Sequence, residues 1–195
     1  MGNLTPGAYT IDCLSFDKAA ALEVGQGYDL RPDGTVIDAV VLHSTNGNGA
    51  HFKAECVYLR DSRTVSAHYG VGEQGQIGRI LDPRYRAWVN GISRYDEARF
   101  WPNRQKLSVY NGRTAWNDFA IGIELVHKIG TAYPPAQLSA LRWLVNELRA
   151  NYPAIRKEGI VLHRWVSGPN VRTTDVKVDP SDATDNWWRN WIQSL

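Results

Sequence analysis

The chain has 195 residues, 43% hydrophobic and 22% charged, an ordinary globular composition long enough for one domain with a core of its own. Its 22 basic and 20 acidic residues leave a formal net charge of +2, too balanced for a polyanion-binding face, so no nucleic-acid partner is expected. No run approaches the roughly 18 apolar residues of a membrane span, and two cysteines, Cys13 and Cys56, are too few for a disulfide scaffold or a cysteine-only zinc site.

The opening MGNLTPGAYTIDCLSF has neither the basic nor the apolar region of a secretory signal, and Pro6 stands where a myristoylation pattern needs Ser or Thr. The expectation is a protein that stays in the cytoplasm until released. One short helix is predicted over 17–24, followed by the loop GQGYDLRPDG. VIDAVVLHST (36–45) is β-branched and apolar on both faces, which predicts a central strand covered on both sides. Residues 50–61 read as a helix with Phe52, Cys56 and Leu59 on one stripe. TVSAHYGVG, GEQGQ and IGRIL read as strand, hairpin turn and returning strand, and FAIGIELV (119–126) as another buried strand. Pro134 and Pro135 open a helix over 135–150 with Leu138, Leu141, Val145 and Leu148 as its apolar stripe, and Tyr152-Pro153 ends it. GIVLHRWV (159–166) predicts a last buried strand, and DNWWRNWIQSL a short amphipathic helix capped by Asp185 or Asn186. Strands alternating with helices, plus one hairpin, predict an α/β fold: a single domain with a central mixed sheet flanked by helices.

Two predicted strands end in the same triplet, Val-Leu-His at 41–43 and at 161–163. Histidines at strand ends reach the sheet rim, where sites of open α/β sheets lie, and imidazole pairs are common zinc ligands. Each histidine taken alone reads equally as a satisfied structural residue. In an extended segment residues two apart face the same way, so Lys177 and Asp179 of Lys-Val-Asp-Pro can share one site. A carboxylate beside two imidazoles leaves a fourth position open, the arrangement of a catalytic zinc; the plain alternative is a surface pair. Glu124 interrupts an apolar strand, and a carboxylate buried there needs a cation, a salt bridge or a functional role. The 8 Trp and 9 Tyr suit stacking on a sugar-containing ligand as well as a core.

These segments resemble the zinc amidase family that includes phage amidase-type lysozymes, bacterial muramoyl-alanine amidases and peptidoglycan recognition proteins. The resemblance rests on VVLHST, VSAHYGVGEQGQI, AWVNG with Ser93, ND-x-A-IGIEL, YPPAQLSALRWL, VLHRW and K-V-D-P, in family order over 36–191. It implies one amidase domain over 1–195, with 1–35 as an N-terminal extension. It implies zinc (Zn2+) held by His43, His163 and Asp179, with Glu124 acting on the attacking water and Lys177 stabilising the oxyanion. The implied reaction is hydrolysis of the amide between N-acetylmuramic acid and L-alanine, with peptidoglycan or a muropeptide as partner, by a monomer acting as a phage-type lysin.

This chain departs from the family pattern at three places. Ala67 stands where many members carry Tyr, which assigns it to the glutamate-using branch. Val89 occupies a position that is often His, and Ser181 one that is usually Gly. The segment 94–116, rich in aromatic and basic residues including Tyr95, Trp101 and Tyr110, reads as a solvated loop or as a groove wall. His51, His68 and His127 are left outside the metal site. Two other readings stay open: a peptidoglycan-binding module without catalysis, and a zinc peptidase acting on the stem peptide.

Overall fold

A computed structural model describes residues 12–47, 51–90, 113, 115–167 and 178–195. In chain order the elements are β1 (Asp12–Ser15), α1 (Lys18–Ala21), β2 (Tyr28–Leu30), β3 (Ala39–Gly47), α2 (Phe52–Asp61), β4 (Tyr69–Gly72), β5 (Gln76–Arg79), β6 (Tyr85–Ala87), α3 (Trp116–Phe119), β7 (Ala120–Lys128), α4 (Pro135–Asn151), β8 (Ile160–Leu162), α5 (His163–Ser167) and α6 (Asp185–Gln193). Six strands form one sheet in the order β1-β5-β4-β7-β3-β8, and β2 pairs with β6 in a separate antiparallel ribbon. Among the described residues, only β4 and β5 run antiparallel within the large sheet, joined by a tight turn in which Gly75 takes φ 87°. The expected mixed sheet flanked by helices is therefore what the chain forms.

The central strands are the ones whose residues are apolar in both directions. Ala39–Leu42 of β3 and Ile121, Ile123 and Leu125 of β7 have no exposed surface, as befits parallel strands covered on both faces. One face is covered by α4, which buries Ala140, Leu141, Leu144, Val145 and Leu148, and by Trp188, Trp191 and Ile192 of α6. Gln137, also fully buried, donates its side-chain amide to the carbonyls of Val71 (2.8 Å) and Val126 (3.0 Å), tying α4 to the ends of β4 and β7. The other face carries α2, seated through Cys56 and Leu59. That seat depends on two paired glycines: a methyl on Gly70 would stand 3.0 Å from Cys56 Sγ, and one on Gly78 2.8 Å from the same sulfur.

Several boundaries differ from the sequence expectation, each for a local reason. The first helix is a single turn, because Asp17 caps it at φ 43° and the chain is extended again by Leu22. The loop read into GQGYDLRPDG contains β2, whose partner β6 is too distant in sequence for periodicity to reveal. β3 does not end at His43 but runs on to Gly47, since β7 pairs with it all the way to Lys128. β8 stops at Leu162, so His163 opens a helix rather than closing a strand. Thr184, not Asp185 or Asn186, caps α6, accepting from the Trp187 amide at 3.2 Å.

Replacing Gly78 with alanine tests the tight seat of α2. The added methyl meets Cys56 Sγ at 2.8 Å and the Phe16 ring at 2.9 Å, and overpacking of this kind costs about 1–3 kcal/mol. Urea unfolding of Gly78→Ala is expected to show that loss; unchanged stability would mean α2 has room to move off the sheet.

Candidate metal centre

The sheet register assembles the site. Gly78 of β5 pairs with Gly70 of β4, Gly70 with Glu124 of β7, and Glu124 with His43 of β3. Leu42 pairs with Leu162, so His163 follows directly beside His43. Partners across a ladder project to the same face, and neighbouring strands lie about 4.8 Å apart. The row therefore passes from two glycines beneath α2 to a carboxylate and then two imidazoles.

Asp179 reaches this row from the far side of α5. The Arg164 amide donates to the Asp179 carbonyl at 2.9 Å. The Arg164 guanidinium holds the Pro180 carbonyl, the Ala183 carbonyl (2.8 Å) and the Asp185 carboxylate (3.0 Å), and the Trp165 indole donates to that carboxylate at 2.8 Å. The residue after His163 thus fastens the segment that carries Asp179.

His43, His163 and Asp179 are all buried, and one ligand atom from each lies within 4.8 Å of the others. Asp179 Oδ2 is 3.3 Å from His43 Nδ1 and 3.2 Å from His163 Nδ1, and the two rings are 4.2 Å apart between centroids. Burial, with His163 adding to it, pushes His43 down to about 4, so its ring is neutral at physiological pH. Burial opposes the Asp179 charge, but the adjoining His163 and His43 outweigh it and hold the carboxyl well below its usual range. Two imidazoles and one carboxylate converge in a buried pocket, a donor set that fits a divalent cation of the zinc type. Polar atoms around it also lack partners among the described residues: Glu124 Oε2, Asn90 Nδ2 and His163 Nε2.

Glu124 stands next to His43 in the row. Burial raises its pKa to about 8, and the Asp179 and Glu55 charges add to the rise. It lines a cleft of about 330 Å³ whose walls include Ser44, Glu55, Tyr58, Val65, Trp88 and Val89, with α2 on one side and the 88–89 segment on the other. Lys177 lies outside the described residues, as does the 94–116 segment except Arg113, Ala115 and Trp116. Of these, Trp116 is fully buried in the main core and Arg113 pairs with Asp38 at 2.8 Å, so this end of the segment is anchored rather than lining the cleft.

The other histidines are placed elsewhere. His51 is exposed, at the N-cap of α2. His68 is buried among structural partners: its Nδ1 accepts from the Gly122 amide at 3.0 Å, and its Nε2 lies 3.1 Å from the Tyr85 carbonyl. His127 stacks on Tyr133 at 4.3 Å and lies 2.9 Å from the Thr131 carbonyl. Sequence reasoning gave no role to Asn90, whose Oδ1 lies 2.9 Å from His43 Nε2, or to Asn117, whose side chain accepts from the Asn90 amide at 2.7 Å. The available signal was Val89: the departure from the family pattern there marks the stretch where the surroundings of the site differ.

Residues 33–182 match the family described as N-acetylmuramoyl-L-alanine amidase. The 1,6-anhydro-N-acetylmuramyl-L-alanine amidase AmpD of Salmonella typhimurium is 32% identical over 177 residues, covering 89% of this chain and 81% of that protein. AmpD of Escherichia coli K12 is 32% identical over 181 residues, covering 91% and 84%. Among solved structures, a selenomethionine AmpD derivative superposes with a TM-score of 0.63 at 24% identity, covering 91% of this chain and 93% of that one. A mutant endolysin from Bacillus subtilis gives 0.61 at 20% identity, with 94% and 97% covered. At these identities the structures speak for the fold, and the family match over most of the chain goes further: this protein belongs to the N-acetylmuramoyl-L-alanine amidase family.

Proposed function

We propose that the protein is a zinc-dependent amidase that cleaves the bond between N-acetylmuramic acid and L-alanine, with His43, His163 and Asp179 as the metal ligands. The observation that carries this is the buried set of two imidazoles on one carboxylate, beside a glutamate in the adjoining strand. A zinc ion in that set would supply the Lewis acidity that makes water nucleophilic near neutral pH and polarises the lactyl carbonyl. Glu124 takes the proton of the attacking water and delivers it to the departing L-alanine nitrogen. In the metal-free site burial raises its pKa to about 8, so this carboxyl readily holds a proton, as the intermediate stage of that transfer requires. The cleft beside Glu124 receives the substrate, with Tyr58 and Trp88 among its walls. Lys177, two residues before Asp179, completes the proposal as the oxyanion donor.

The substrate takes one of two physical forms. The AmpD relatives, at 32% identity, are named for 1,6-anhydro-muramyl substrates, which favours a small soluble muropeptide. The lysin reading, with intact wall as substrate, has only fold likeness to endolysins behind it. Parallel digestion of purified sacculi and of 1,6-anhydro-muropeptides separates the two. In either case new L-alanine amino groups are expected without new reducing sugars; other new amino termini would indicate a peptidase, and no cleavage a binding module. Chelation should abolish the activity and added zinc restore it. Glu124→Gln should keep zinc and lose at least about 100-fold in rate, the lower end of general-base contributions; near-normal turnover would move the base elsewhere.

Glu124 also predicts a pH dependence of stability in the metal-free protein. Its pKa is raised from an ordinary 4.5 to about 8, so the folded state binds this proton more tightly than the unfolded chain does. Its contribution is therefore present at low pH and lost as pH rises toward 8. His43 and His68, with pKa values lowered from 6.5 to about 4 and about 3, act in the opposite sense, but only below 6.5. Between pH 6.5 and 8 the Tm of metal-free protein should fall, and Glu124→Gln should flatten that fall. Parallel slopes in the two proteins would assign the effect to another group.

A further inference from the structure

We propose that Asn90 is a positioning residue for the metal centre: its side-chain oxygen sets the tautomer and rotation of His43 so that the bare Nδ1 faces the metal. The inference rests on the zinc reading above and extends it to a residue that contacts neither metal nor substrate in that reading. Asn90 is 1% exposed, and its Oδ1 lies 2.9 Å from His43 Nε2. The opposite ring nitrogen, Nδ1, lies 3.3 Å from Asp179 Oδ2. A neutral imidazole has one N–H and cannot donate to both oxygens. With the proton on Nε2, bonded to Asn90, a lone pair on Nδ1 meets a carboxylate at hydrogen-bonding distance. A cation between Nδ1 and the carboxylate resolves this meeting of acceptors, whereas moving the proton to Nδ1 would set Nε2 against Asn90 Oδ1. The pairing with Asn90 therefore selects the metal-binding tautomer, the service that carbonyls and carboxylates behind metal-bound histidines generally perform.

The surroundings of Asn90 show why it can do this. Its backbone amide and that of Val89 both donate to Asn117 Oδ1, at 2.7 and 3.3 Å. Trp88 exchanges backbone bonds with Ser66, donating to Ser66 Oγ at 2.8 Å and accepting from the Ser66 amide at 3.2 Å. The Trp88 indole donates to Asp29 at 2.7 Å. Gly122, two residues before Glu124 on β7, lets Val89 lie directly on the sheet: a methyl there would stand 2.6 Å from Val89 Cγ1. Residues 88–90 are thus pinned from three sides and pressed against the strand that neighbours His43. His163 differs, for its outer nitrogen is buried without a hydrogen-bond partner among the described residues. Of the two imidazoles, His43 is the one whose orientation is set in advance.

The test measures zinc binding, not turnover. Asn90→Leu keeps the volume and removes the acceptor; Asn90→Asp keeps an acceptor that cannot rotate into a donor. Zinc dissociation constants from chelator competition should rise about 10–100-fold in Asn90→Leu, the usual cost of losing such a partner, and stay within about threefold of wild type, or fall, in Asn90→Asp. Nitrogen-15 NMR of the imidazoles should show His43 protonated on Nε2 in the zinc-loaded wild type. Metal-free Tm values of both variants are recorded alongside, so that packing loss is not mistaken for loss of orientation. Should Asn90→Leu fail to fold, the Asn90→Asp affinity and the His43 proton position still decide. Zinc binding by Asn90→Leu equal to wild type overturns the proposal, as does an Asn90→Asp affinity as weak as that of Asn90→Leu, or a proton found on Nδ1. A wild-type protein that takes up no zinc sinks the metal reading and this inference with it, whereas zinc uptake that ignores residue 90 sinks this inference alone.

Discussion

The register between β3 and β7 is the constraint on which the rest of the molecule depends. It places Glu124 opposite His43 and, through the β3–β8 pairing, brings His163 to the next position in the row. A slip of one residue would turn both side chains to the face packed by α4, since a strand's side chains alternate in direction. What prevents the slip is the apolar content of the same strands. Val40, Val41, Leu42, Ile121, Ile123 and Leu125 are buried on both faces, and each row of large side chains has one helix layer to fit. The glycines at 70, 78 and 122 complete the arrangement by admitting Cys56 and Val89 against one face of the sheet. Core packing and site geometry are set by one set of pairings.

The centre is electrostatically unbalanced by construction. A fold that buries an aspartate, two histidines and a neighbouring glutamate together has spent desolvation free energy with no fixed cation at hand among the described residues. The chain limits the cost in two ways. Burial keeps His43 neutral, and it drives Glu124 toward its protonated form. The remaining charge, on Asp179, is held in place by the Arg164 clamp rather than neutralised by it, because Arg164 addresses the backbone of Asp179 and the carboxylate of Asp185. A buried carboxylate between two imidazoles, with geometry imposed from outside, suits a dication. Binding would return free energy to the fold, since the ligand set does not exist in the unfolded chain.

Much of this was legible in the sequence, and the parts that were not share a cause. VVLH and AIGIELV announced central strands because their apolar residues do not alternate, and Glu124 stood out against that background. His43, His163 and Asp179, read as partners from strand position and resemblance, do meet in the structure. His163 was misread as a strand end because α5 begins only where Arg164 engages residues 179–185, a contact no local periodicity carries. β2 and β6 escaped notice because three-residue strands pair across more than fifty positions. Asn90 was invisible for the same reason: its partner is 47 residues away, and an asparagine in AWVNG looks like a loop residue until the sheet folds beneath it.

The 88–90 segment also joins two tasks that are usually separated. Trp88 and Val89 line the cleft, while Asn90, one residue on, turns inward to His43. The backbone bends through 88–90, so one strip presents a wall to the cleft and a hydrogen-bond acceptor to the imidazole. Any shift of that strip is felt in both places. The bonds that hold it, to Ser66, Asp29 and Asn117, come from three separate parts of the chain. Asn117 in turn belongs to α3, the turn that leads directly into β7 and Glu124. The turn that leads into the Glu124 strand thus also holds the strip that meets His43. The spacing between Glu124 and His43 is thereby tied to the same bonds that shape the cleft, and changes in cleft shape near residue 89 are constrained by the Asn90–His43 contact one residue away.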